Sequence, residues 1–493
     1  MDSPGKMESK PTYALAAWVF GRVLGLCLLA TFVSLVSQLP GLIGSAGITP
    51  LAELLDALTA KYGDDAWWRA PSLFWLSGSE TMITIVGWVG LAASGCLTVG
   101  AAPRLASAVC YAVYLSIRSI DDVPLRWFNW PFDDLLTEAV FVAIWMSPRG
   151  WLVRLSRLPT PPTWCRWLLI WMVFRLMFGT GITKVLAGGS WLELDALRDF
   201  LLTQPQPTLL AMWCRELPPW VLQTAAGYTV LYELVAPWLF FWPGRVRRVA
   251  AFCGVPLMVG IYLSGNFRGL NLLSFALLLM LWDDGACMRW WPAAVRDRIH
   301  VVALPAWTVS RRIHTAIVAA LLVVASVEPA FTLFGVAPGQ LPAAEVRQAV
   351  RPLRLSAHYY MFCSVPAQRF NIVLQGSVDG VEWRDYEPRG MPGPVARTPQ
   401  RTAPFHEFLA FPMWLGGYGP AAISRTWLPA LLERLRSGSP QVRALFASDP
   451  FADAPPRFVR AVRYHYTVAS AGERDQGIFW HRTAAEVLLA VGE

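Results

Sequence analysis

The chain is predicted to fold as a polytopic α-helical membrane bundle carrying a β-rich soluble domain, and three observations support that prediction. Apolar windows of helix length recur from about residue 14 to residue 335. Only 15% of the 493 residues are charged while 55% are hydrophobic, for a mean hydropathy of +0.40; a soluble domain averages roughly 25% charged residues. After Pro338 the pattern changes to short alternating runs of strand type. Twenty-five tryptophans fit interfacial aromatic belts better than a soluble core.

Nine spans are expected, at about 14–39, 80–101, 104–120, 135–148, 167–186, 222–243, 249–264, 268–282 and 313–335. Crossing roughly 30 Å of hydrocarbon takes about 20 helical residues. The third, fourth, seventh and eighth windows are shorter, which leaves tilted, buried or re-entrant geometries open to them. The first is too long for a signal-peptide core and lacks a small-residue cleavage site, so it is expected as a retained span. Loop charge sets the orientation. With Lys6 and Lys10 cytoplasmic, the alternate loops are basic, through Arg104, then Arg149, Arg154, Arg157 and Arg166, then Arg245, Arg247 and Arg248, then Arg289, Arg296, Arg298, Arg311 and Arg312. The opposite loops carry Glu53, Asp56, Asp64, Asp65, Asp121 and Asp122. This places the N-terminus inside and the C-terminal domain outside, with an odd number of spans.

In the tail, Phe370, Ile372 and Leu374 alternate before an Asp379-Gly380 turn, then Val381 and Trp383. Residues Arg457–Val468 alternate again, and Thr426–Arg436 is patterned as an amphipathic helix, with a shorter one around Gln441–Phe446. The expected organisation is a helical membrane domain over 1–337, an exoplasmic, sandwich-like β-rich domain with helical insertions over 338–470, and a helical tail over 471–493.

The polar residues of the spans are the candidate site. Lys184 ends the fifth window in Gly179-Thr180-Gly181-Ile182-Thr183-Lys184, with Trp191 shortly after. It is one of four lysines against 38 arginines. Two readings compete, a desolvated general base and a snorkelling lysine beside a Trp191 belt anchor. Arg175, deeper in the same window, needs a carboxylate; Glu233 is the expected partner, with Glu138 and Asp133-Asp134 as others. Asn266 and Asn271 stand before and within the first turn of the eighth window, and Asp283-Asp284 close it. Two aspartates at a helix C-terminus oppose the macrodipole, so helix stability does not account for them. Ligand coordination and helix-to-helix bonding are both open for this cluster. Trp383, Trp414, Tyr418 and Trp427 are candidate client contacts, and a place in the core is equally open to the last three.

Eight cysteines show no C-x-x-C spacing and six histidines no H-E-x-x-H grouping, so no metal site is expected. Pairing of Cys214 with Cys363, both expected outside, is left open. A lipase elbow, a P-loop and a dinucleotide fingerprint are absent from the sequence, and no cofactor or nucleic-acid partner is expected.

A set of phrases is then specific in order and spacing. They include Gln38 with Gly41-Leu42, Phe128-Asn129-Trp130 with Asp134-Leu135-Leu136 and Glu138, Gly181 with Lys184 and Trp191, and Thr203-Gln204-Pro205-Gln206-Pro207. Glu233 with Pro237, Ser264-Gly265-Asn266, Asn271-Leu272-Leu273 and Asp283-Asp284 follow. The tail adds Pro352-Leu353-Arg354-Leu355, Gln375-Gly376-Ser377 with Asp379-Gly380 and Trp383, and Asp449-Pro450-Phe451 with Pro455-Pro456-Arg457-Phe458. In these phrases the chain resembles the lipase maturation factor family over nearly its full length. The resemblance implies a multi-pass membrane protein, of the endoplasmic reticulum in eukaryotes, that helps newly secreted dimeric lipases reach active form. Gly179–Lys184 with Trp191 is more weakly similar to a span-ending lysine phrase of vitamin K-dependent carboxylase-type membrane proteins, in which a lysine acts as base. The Gly376–Trp383 phrase is similar to galactose-binding-like β-sandwiches.

The leading expectation is therefore a membrane-embedded maturation or folding factor for an exported, lipase-like client, without catalysis of its own. Its partners are the bilayer and the client, and its location is the endoplasmic reticulum membrane in a eukaryote or the cell membrane in a bacterium. The alternative is a membrane enzyme acting on a lipid or quinone-like molecule with Lys184 as general base. A transporter comes third, because the windows show no internal repeats.

Overall fold

A computed structural model describes residues 11–122, 125–302, 309–355, 357–419 and 421–492. Each of the nine apolar windows coincides with a helix: α1 (Ala14–Ile43), α2 (Glu80–Val99), α3 (Pro103–Ser119), α4 (Pro131–Met146), α5 (Thr163–Ala187), α6 (Pro219–Leu239), α7 (Arg245–Ser264), α8 (Leu270–Leu279) and α9 (Val309–Thr332). Four of them, α1, α2, α5 and α7, are long and apolar enough to cross a membrane. The expectation of nine spans is not confirmed: among the described residues four helices have that length and apolarity. The 17, 16 and 10 residues of α3, α4 and α8 rise less than the hydrocarbon thickness.

Local chemistry sets the helix ends. The Ser79 hydroxyl accepts from the Met82 N–H to start α2, and Gly100, at φ +81°, ends it in the left-handed conformation. Pro103 and Pro131 sit at the first positions of α3 and α4, where a missing N–H costs nothing. Helices α1 and α2 approach closely because Gly25 carries no side chain: a Cβ there would lie 2.5 Å from the Thr98 backbone nitrogen.

The connections gather at two ends of the bundle. At one end the start of α1 meets Asp284, the Arg22 guanidinium donates to the Val153 carbonyl (3.1 Å), and Leu158-Pro159 pairs in parallel with Val301-Val302. At the other end the residues before α4, Leu202–Gln206 and Asn266 receive the C-terminal domain.

That domain is built on one five-stranded antiparallel sheet, of strands β1 (Arg369–Ser377), β2 (Arg384–Pro388), β3 (Phe446–Ser448), β4 (Phe458–Val468) and β5 (Trp480–Val491), in the order β3-β2-β1-β4-β5. The expected hairpin forms, with Asp379 Oδ1 accepting from the Val381 and Glu382 N–H groups and Gly380 at φ +77°. Strand β2 begins only at Arg384, so Val381 and Trp383 lie in the connection.

Two expectations are corrected. Among the described residues of this domain there is no second sheet, so it is not a sandwich. One face, with Ile372 and Leu374, packs under α10 (Ala410–Gly417) and α11 (Ala421–Arg436), while Val373 on the other meets Leu202 and Met212 of the bundle's short outer helices. Helices take the place of the second layer. The expected helical tail over 471–493 is instead one helical turn, Ala471–Asp475, and the strand β5. Its Trp480–Val491 run supplies a partner for the otherwise open edge of β4.

Candidate functional site

Three polar groups fasten the domain to the bundle. Asn266 is 2% exposed and uses its whole amide: Nδ2 donates to the carbonyls of Gln206 (3.2 Å) and Gln400 (2.8 Å), and Oδ1 accepts from the N–H groups of Thr402 (2.9 Å) and Ala403 (3.0 Å). Gln38 of α1 holds the same loop, donating to the His406 carbonyl (2.6 Å) and accepting from the Phe408 N–H (3.0 Å). Arg369 of β1 reaches the other way, to the carbonyls of Leu202, Gln204 and Pro205. Ser264-Gly265-Asn266 and the Gln204–Pro207 phrase thus act together as a docking seam. Gln38 stood among the family phrases and Arg369 did not; arginines are so common in this chain that Arg369 carried no separate signal.

Glu407 lies inside this loop. Burial pushes its carboxyl up to about 7, and Arg389 offsets only part of that. A carboxyl held above its ordinary 4.5 contributes stability that is complete below that pH and is lost as pH rises through about 7. The thermal midpoint of the full chain is expected to fall across that window, and Glu407→Gln is expected to flatten the slope. An unchanged slope in the variant assigns the titration elsewhere.

The carboxylate pair at the far end of α8 serves other helices. Asp284 accepts from the first free N–H groups of α1, at Ala14 (2.9 Å) and Leu15 (2.8 Å). Asp283 caps the short helix Asp284–Met288 through the Ala286 N–H (2.9 Å) and pairs with Arg248 (2.7 Å). Both satisfy helix N-termini, the favourable side of the dipole, which accounts for acidic residues after α8.

The intramembrane charges pair differently from the expectation. Arg175 meets Glu138 of α4 and donates to the Tyr359 hydroxyl (2.9 Å), which itself donates to Glu138. Glu233 pairs with Lys184 instead, Nζ to Oε2 at 2.5 Å. Arg175 and Lys184 are nine residues apart in the sequence, about 13 Å along the helix, so one carboxylate cannot serve both. Lys184 is 4% exposed and Trp191 3% exposed, which corrects the reading of a snorkelling lysine beside a belt anchor. Trp191 packs under the lysine, its ring centre 4.6 Å from Nζ, and donates to the Phe362 carbonyl (2.9 Å).

Lys184, Glu233, Trp191 and Asn271 line one cavity of about 410 Å3 between α5, α6, α7 and α8. Asn271 is 1% exposed; its Nδ2 reaches only the Met258 sulfur (3.7 Å) and its Oδ1 has no partner among the described residues.

The tryptophans expected at a client divide. Trp427 is fully buried with its ring centre 6.0 Å from that of Trp127, and Trp414 is buried and donates to the Thr203 carbonyl (2.7 Å). Both belong to the seam, because the apolar side of the helical insertion faces the bundle; neither is available to a client. Trp383 is half-buried in the β1–β2 connection, stacked under Arg460, beside exposed Val378 and Val381. Cys214 and Cys363 are both free thiols. Among the described residues no cluster suits a metal ion.

Comparison with known proteins covers both parts. A family model for the lipase maturation factor transmembrane domain matches residues 15–289, and one for the lipase maturation factor C-terminal domain matches residues 355–490. Lipase maturation factor 1 of Mus musculus is 28% identical, across 98% of this chain and 87% of that protein. Lipase maturation factor 2 of Rattus norvegicus is likewise 28% identical, across 93% of this chain and 80% of its own length. Lipase maturation factor 1 of Homo sapiens is 26% identical across 96% of this chain and 86% of its own. No solved structure matches the chain.

Proposed function

The chain belongs to the lipase maturation factor family, and from that premise we propose that it assists the folding or assembly of exported, lipase-like clients from within the membrane. The observation that carries this reading is the seam. Asn266, Gln38 and Arg369 hold the C-terminal domain rigidly over one end of the bundle, and the exposed tip of the β1–β2 connection is left free. A domain fixed at one end of a membrane bundle is positioned to meet a chain emerging on that side. We assign that end to the exoplasmic face, which is the lumen of the endoplasmic reticulum in a eukaryote. The opposite, arginine-rich end is assigned to the cytoplasm. Lys184 has no need to act as a base here, since Glu233 already engages it.

The contact surface we propose is Val378, Val381 and Trp383. Val381 is 80% exposed and Val378 58%, on a turn that Asp379 makes rigid. Apolar side chains presented on a stiff loop lose little entropy on binding. In cells that lack their own maturation factor, the full chain is expected to restore secretion of active lipase. The Val381→Asp/Trp383→Ala variant is expected to lower that yield at least tenfold, the scale of losing an aromatic anchor. Wild-type yield from a normally inserted variant refutes this surface.

A further inference from the structure

We propose that the cavity between α5, α6, α7 and α8 binds a neutral, single-chain bilayer lipid whose head carries a hydroxyl group, of the monoacylglycerol class. This goes beyond the client-maturation reading and does not rest on it. The cavity holds about 410 Å3, within the range of small-molecule sites, and its walls are mostly aliphatic and aromatic. Of its lining residues, Tyr228 of α6 and Pro256 and Gly260 of α7 are exposed, and the proposal places its mouth there. A ligand entering there comes sideways from the lipid.

The polar groups narrow the chemistry. The hydroxyls of Thr180, Thr229 and Ser274 donate to carbonyls of their own helices. Asn271 and the Lys184–Glu233 pair keep polar capacity for a ligand. Asn271 Oδ1 is buried and unpartnered, and an acceptor left in that state costs free energy until a donor reaches it. Lys184 gives one N–H to Glu233 and has others to offer. A hydroxyl answers both needs, donating to Asn271 and accepting from Lys184. The Lys184–Glu233 pair is already neutral, so a carboxylate or phosphate head would bring an uncompensated charge into an apolar space. A neutral head avoids that cost. At roughly 30 Å3 per small group the cavity takes the head and part of one chain, and the rest of the chain passes out of the mouth into the bilayer.

The test uses the full chain in nanodiscs with a monoolein analogue bearing a diazirine in its acyl chain. After irradiation, labelled peptides are expected from α6 and α7 around Leu222 and Leu257, with labelling competed by unlabelled monoolein and far less by oleate. Asn271→Leu removes the acceptor and is expected to cut labelling at least fivefold. Gly260→Trp narrows the mouth and is expected to do the same. A Cβ at Gly260 meets nothing within 4 Å, so this variant keeps the bundle intact even if the Asn271 variant unfolds. Labelling spread over the lipid-facing surface and unchanged by Gly260→Trp overturns the site. Competition by oleate as strong as by monoolein overturns the neutral head.

Discussion

Arg369→Ala is expected to release the C-terminal domain from the bundle and to abolish secretion of active client. The side chain is fully buried and donates to the Leu202 carbonyl at 2.7 Å, the Gln204 carbonyl at 2.6 Å and the Pro205 carbonyl at 2.9 Å. The Leu202 carbonyl is in the last turn of the short helix Ala196–Thr203, where carbonyls have no partner within the helix, and those of Gln204 and Pro205 lie just beyond it, in a segment broken by Pro205 and Pro207. Two effects oppose each other. Burial draws the guanidinium down to about 10, so the fold already bears a desolvation cost, which the alanine variant recovers. Against that stand three buried carbonyls that lose a charged donor and are left dry, at about 1–3 kcal/mol each. The loss exceeds the recovery, by about 3 kcal/mol or more. Arg369→Lys is expected to rescue little, because a single ammonium cannot fork to three carbonyls. The check is protease sensitivity of the 355–490 segment together with the thermal midpoint of the full chain; a variant as resistant as wild type refutes the docking role.

The same residue shows where sequence reading stops. Apolar runs located the nine helices α1 to α9, because a helix that faces lipid or a packed core must be apolar along its length whatever its neighbours are. The hairpin at Asp379-Gly380 was legible for a comparable reason, since its turn is fixed within four residues. Partner choice was not. Whether Glu233 meets Arg175 or Lys184 depends on how α5 and α6 are staggered, and periodicity carries no information on stagger. Asp284 looked misplaced at the end of α8 because the N–H groups it caps belong to α1, 269 and 270 residues away. For Trp414 and Trp427 a client surface and a core stood equally open, because the bundle residues that cover them are distant in the sequence. The cavity was invisible for the same reason: Lys184, Glu233 and Asn271 come from three separate helices, and only their packing leaves a space between them.

Lys184→Met is expected to destabilise the bundle by about 3–5 kcal/mol, the scale for removing one member of a buried ion pair. The variant leaves Glu233, 3% exposed, facing apolar walls without a counter-charge. Relaxation offers little relief, because α5 and α6 are in contact at this level: a Cβ on Gly181 would lie 2.8 Å from the Glu233 Cβ. The Trp191 ring, held by its bond to Phe362, also loses the cation it packs against. The double variant Lys184→Met/Glu233→Leu removes both charges with similar volume and is expected to regain most of the loss, since a buried pair and a well-packed apolar pair are often close in energy. Thermal unfolding of the single and double variants measures the coupling directly. Client secretion then separates two roles for Lys184. If the lysine serves to hold α5 against α6, the yield of active lipase follows stability and returns in the double variant. If it works as a base, the double variant is stable and inactive, and Lys184→Arg, which keeps the pair but removes the titratable amine, is inactive as well. The Glu233 contact at 2.5 Å favours the first outcome.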